Sequence, residues 1–63
     1  MSDKAENKRR LTLLAREVDS MMESTTHLID LAHAAGDRGA FKLLNEIHDT
    51  TEVLARHLKM SSQ

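Results

Sequence analysis

The chain has 63 residues, a formal net charge of −1 and no cysteine. That length allows one domain, residues 1–63, and leaves no room for a large enclosed core; the missing thiols exclude disulfides and thiolate zinc sites. The interspersed, near-neutral charges argue against a generic nucleic-acid binder, which carries a strong basic excess. The opening MSDKAENKRR is charged and no apolar run follows it, so neither a signal peptide nor a membrane contact is expected, and a cytoplasmic location is.

There is no proline, and the two glycines, Gly36 and Gly39, sit together. Everything before them is rich in good helix formers, which predicts a first helix over about 3–35. Asp3 with Glu6 three residues later has the spacing of a capping pair. Leu11, Leu14, Val18, Met21, Thr25, Leu28, Ala32 and Ala35 follow one another at alternating steps of three and four, a heptad seam. Ala15, Met22 and Ile29 widen it on one side, as in bundle helices.

The turn is expected at 36–38, with Gly36 in the left-handed C-cap conformation and Asp37 capping the second helix. That helix is predicted over about 38–60, with the seam Leu44, Ile47, Thr51, Leu54 and Leu58, and with Ala40, Phe41 and Leu43 covering the turn end. The terminal residues Met1–Ser2 and 61–63 are expected to fray. So short a turn makes the helices antiparallel. Two helices cannot enclose a core, because each seam keeps an open side. The expected fold is therefore all-α: an antiparallel helical hairpin that dimerises into a four-helix bundle, with a dimer core of Leu14, Val18, Met21, Thr25, Leu28, Ile47, Thr51, Leu54 and Leu58.

Thr25 and Thr51 interrupt otherwise apolar seams. Each hydroxyl either bonds back to the carbonyl four residues earlier or belongs to a polar layer that sets register. The four histidines, His27, His33, His48 and His57, suggest metal binding, but the inward Glu-x-x-His pattern of di-iron bundles is absent. No metal and no cofactor is expected. Neither a phosphate-binding glycine loop nor a nucleophile–base arrangement occurs, so the chain is expected to be no enzyme and to take no small-molecule substrate. Around His57 the sequence is similar to the phosphorylated stretch of histidine phosphotransfer domains, yet Met60 stands where that stretch needs glycine.

Residues 1–20 hold five basic and four acidic side chains, with the densest basic run at Lys8, Arg9 and Arg10. A solvated helix end explains that run; a phosphate-contact patch built on Arg9, Arg10 and Arg16 is the RNA-binding alternative. Leu13 and Leu31 fall off the first seam and Val53 off the second. With Arg16 and Ser20 they mark a candidate partner-binding flank.

The heptad hairpin with its tight turn, Thr25 in the first seam, and Ile47-His48-Asp49 followed by Leu54 and Arg56 together resemble the Rop family of small RNA-binding hairpins over about residues 9–60. The resemblance implies a four-helix homodimer with RNA contacts on the exposed flank of the first helix, here Arg9, Arg16, Ser20, Ser24 and Leu31. The chain departs from that family at two places: Ser20 replaces an aromatic residue and Leu31 stands near a family lysine. Both departures weaken stacking and phosphate contact. The sequence thus points first to a small non-enzymatic regulator or adaptor, a homodimeric bundle that binds and modulates another protein, with a Rop-like RNA-binding modulator as the alternative.

Overall fold

The computed structural model describes residues 2–61, with side chains from 3 to 60. It contains two helices, α1 (Ser2–Ala35) and α2 (Arg38–Ser61), packed against each other as a hairpin. The tails expected to fray, Met1 and residues 62–63, lie outside the described residues, whereas Ser2 and Ser61 are helical. Because α1 starts at Ser2, Asp3 sits inside the first turn rather than capping it. There its carboxylate meets the positive end of the helix dipole. Glu6 reaches Arg10 at 3.6 Å, one turn on, instead of turning back to the cap.

The turn has the chemistry its sequence announces. Gly36 has φ +72°, the left-handed conformation glycine adopts without a Cβ penalty. The Gly36 N–H donates to the His33 carbonyl and the Asp37 N–H to the Ala32 carbonyl, each at 3.1 Å. These two bonds form a Schellman closure of α1. Asp37 then opens α2: its Oδ1 accepts from the Ala40 N–H and its carbonyl from the Phe41 N–H, both at 3.0 Å. His33 and Phe41 close the end of the hairpin with ring centroids 5.6 Å apart.

The two glycines therefore predict opposite effects. Gly36→Ala places a Cβ in open space but on a strained backbone, and is expected to lower stability by about 1 kcal/mol. Gly39 lies in the first turn of α2 at ordinary φ, where an added Cβ meets Asp37 Oδ1 at a comfortable 3.6 Å. Gly39→Ala is expected to stabilise by roughly 0.5 kcal/mol. Denaturant midpoints at one fixed protein concentration check both.

Burial within the hairpin follows only half of each seam. Val18, Thr25 and Ala32 of α1 are buried, flanked by half-buried Ala15, Met22 and Ile29. Thr51 and Leu58 of α2 are buried, with half-buried Ala40, Leu44, His48 and Ala55. Folding the chain near residues 37 and 38 sets Val18 about level with Leu58, Thr25 with Thr51 and Ala32 with Leu44. Much of this interface is Ala, Thr and Val, and among the described residues no large side chain is fully buried. The molecule measures 53 × 15 × 13 Å with a radius of gyration of 15.0 Å, against about 11 Å for a compact domain of this length.

The buried threonines are satisfied locally. Thr25 Oγ1 donates to the Met21 carbonyl and Thr51 Oγ1 to the Ile47 carbonyl, both at 2.7 Å. Exposed Thr12, Thr26 and Thr50 bond back four residues in the same way, so the bond is a habit of threonine in these helices rather than of the seam. Among the described residues no buried side-chain nitrogen or oxygen lacks a partner. Thr25→Val and Thr51→Val are each expected to be neutral or stabilising, because donor and apolar surroundings change together. Mixed oligomers by light scattering would show that the hydroxyls also hold register.

Candidate interaction surface

The half-seams that the hairpin leaves unused lie on one open side. Leu14, Met21 and Leu28 recur every seven residues along α1, as do Ile47 and Leu54 along α2. All five are exposed, by between 37 and 49%. Leu14, Met21 and Leu54 line one shallow groove between the helices, bordered by Glu17, Ser20 and Ser24. A second groove, lined by Leu43, Ile47 and Thr51, continues the side toward the turn. Of the nine residues expected in a dimer core, Val18, Thr25, Thr51 and Leu58 are thus buried by the hairpin itself. The other five are presented to solvent by the single chain.

Helix α1 is also the longer element, 34 residues against 24. Its N-terminal end runs about 15 Å past the end of α2 at 1.5 Å per residue. Every described side chain from Asp3 to Leu14 is exposed, including Leu11 and Leu14.

The expected partner-binding residues Leu13, Arg16, Ser20, Leu31 and Val53 are all exposed. They do not form one patch. Leu13 lies near the free end and Leu31 near the turn, roughly 27 Å apart along α1, and Val53 is on the other helix. Leu31 follows Leu28 by three residues and borders the open apolar side, and Ser20 lines its groove. Leu43 and Met60, neither of them expected on a binding surface, are among the most exposed apolar side chains at 60 and 76%. Their signal was present in the heptad: Met60 repeats Val53 after seven residues, and Leu43 occupies in α2 the position Leu31 holds in α1.

The basic residues of the RNA alternative are in place but partly engaged. Arg10 pairs with Glu6, whereas Arg9 and Arg16 are exposed one heptad apart on the outer side of α1. The charge-assisted bond from Arg56 Nη2 to Glu52 Oε1 is shorter, at 3.0 Å. Glu52 also belongs to the one acid–histidine cluster among the described residues. His48, Asp49 and Glu52 offer ligand atoms within 4.8 Å of one another. One imidazole and two carboxylates from a single turn would leave a metal dependent on water for the rest of its coordination, and Arg56 already neutralises Glu52.

Among the described residues no helix is long and apolar enough to cross a membrane. Comparison with protein-family models, with curated proteins and with solved structures gives no match to this chain.

Proposed function

We propose that the chain acts without catalysis, as a homodimeric four-helix bundle that binds a protein partner and modulates it. The observation that carries this reading is the open apolar side. Its largest leucines, isoleucine and methionine are exposed, while alanine, threonine and valine supply much of the hairpin's own interface. The chain exposes 5398 Å², whereas a compact 7.1 kDa protein is expected to expose about 4,100 Å². The excess of roughly 1,300 Å² exceeds the ~800 Å² per partner that a stable interface of standard size buries. A second hairpin supplies a matching heptad surface.

Once that side is covered, the outer flanks remain, with Leu13, Arg16 and Val53, and with Ser20 and Leu31 at the edges. Their mix of apolar and polar groups suits a helix flank laid into a groove of another protein. The net charge of −1 and the pairing of Arg10 and Arg56 with glutamates favour a protein over RNA.

The test is capture by tagged protein from its native lysate, with and without ribonuclease and across a salt series, beside a Leu13→Glu/Val53→Glu chain. A protein that survives ribonuclease and moderate salt, and is lost with the double variant, is the expected result. Recovery of RNA alone, weakening steeply with salt and lost on Arg9→Ala/Arg16→Ala, would establish the Rop-like reading instead.

A further inference from the structure

We infer that His48, Asp49 and Glu52 of α2 bind one divalent transition ion of the zinc class, its shell completed by water, and that Arg56 is the counter-ion it displaces. Among the described residues this is the one place where three acid or histidine side chains gather closely enough to share an ion, with one ligand atom of each within 4.8 Å of the others. Donors bound to one zinc at about 2.1 Å stand about 3–3.5 Å apart, so each donor has to move by about 1 Å or less. His48 and Glu52 are four residues apart, and a helix sets such side chains side by side. Both are half-buried at the edge of the hairpin, whereas Asp49 is exposed. Asn45 precedes them on the same stripe, at i, i+3, i+4 and i+7. Its Nδ2 donates to the Phe41 carbonyl at 2.8 Å, which leaves its amide oxygen to accept from a metal-bound water. Glu23, His27 and Asp30 repeat the residue types along α1 but form no such group, so spacing alone does not account for the cluster.

The donor set selects the ion. Imidazole suits zinc, copper and nickel, whereas calcium and magnesium take oxygen shells. Three donors from one turn cover one side of the ion only, so water fills the rest and the ion stays exchangeable. Arg56 is the competitor. Its Nη2 lies 3.0 Å from Glu52 Oε1, with the two side chains 69 and 46% exposed. An exposed pair four residues apart is weak, and a bound dication both takes the carboxylate and repels the guanidinium. Unlike the inward Glu-x-x-His pattern that the sequence lacks, this cluster faces outward. At 100° per residue it is centred about 160° around α2 from Ile47 and Leu54. The site therefore stays open whether or not the hairpin dimerises, and it does not rest on the dimer reading.

The test is a calorimetric titration of Zn²⁺ into the full chain near pH 7, with circular dichroism to confirm that each variant keeps its helices. The expected result is one strongest site per chain, weakened at least about tenfold by His48→Gln and by Glu52→Gln and unchanged by His27→Gln or His57→Gln. Excess Mg²⁺ should not compete. Arg56→Ala is expected to tighten binding about two- to fivefold, the strength of the pair it removes. Should His48→Gln unfold the edge of the hairpin, Glu52→Gln at its more exposed position decides alone. No saturable binding, equal binding to the Glu52→Gln chain, or a loss that follows His27 or His57 overturns the site. An affinity unchanged or lowered by Arg56→Ala overturns the displacement.

Discussion

Met21→Glu is expected to abolish the proposed dimer. Met21 lies in the groove with Leu14 and Leu54 and is 45% exposed in the single chain, so a glutamate there costs the lone hairpin almost nothing. In the dimer the substitution counts twice. Each copy loses the burial of one methionine, ~1.5–3 kcal/mol, and gains a carboxylate that must be desolvated beside its twin. A combined cost of about 3–6 kcal/mol corresponds to a 10²- to 10⁴-fold weaker association. Sedimentation equilibrium reads the mass, and the helical signal should fall with it, because a hairpin with so thin a core is marginal alone. Met21→Leu, which keeps size and apolarity, should leave the mass unchanged. A Met21→Glu chain that keeps the wild-type mass would remove the open side from the interface.

Leu58→Ala is expected to be the most damaging truncation within the hairpin itself. Leu58 is 6% exposed and level with Val18 at 3%, and it is the largest apolar side chain the hairpin buries. Removing three carbons there leaves a void that two helices can only partly close, for a loss of about 2–4 kcal/mol. Val53→Ala, at a position 61% exposed, should stay within ~0.5 kcal/mol of wild type. Urea midpoints compared at one protomer concentration separate the two, since unfolding of a dimer shifts with concentration. Equal midpoints for both variants would show that the buried half-seam does not carry the stability.

The fold was legible because few signals competed. With no proline and only Gly36 and Gly39 as breakers, the chain had one place to turn, and the Gly36–Asp37 bonds show how it does so. The heptads of both helices were equally plain. What the wheel could not tell was which half of each seam the hairpin would close. Leu14 and Ala15 lie on either side of the direction of Val18, and periodicity treats them alike. The structure turns Ala15, Met22 and Ile29 of α1 and Ala40, Leu44 and Ala55 of α2 inward beside the buried positions, and leaves Leu14, Met21, Leu28, Ile47 and Leu54 outward. The partner flank was less legible still. Leu13 and Leu31 share a flank of α1 and Val53 lies on the outer side of α2, but a wheel has no axial coordinate, and the structure spreads them along the hairpin. Arg10 shows the same limit for charge, since its pairing with Glu6 depends on rotamers rather than on composition.

Asp37 serves two helices at once, as the last bonded residue of α1 and the first cap of α2. The phase between the two heptads is consequently set by a single joint with no slack. One residue inserted there would rotate α2 by about 100° relative to α1. Ile47 and Leu54 would swing away from Leu28 and Met21, although every helix, cap and leucine would still be present. The turn acts as a gear tooth: it decides whether two correct helices add up to one surface.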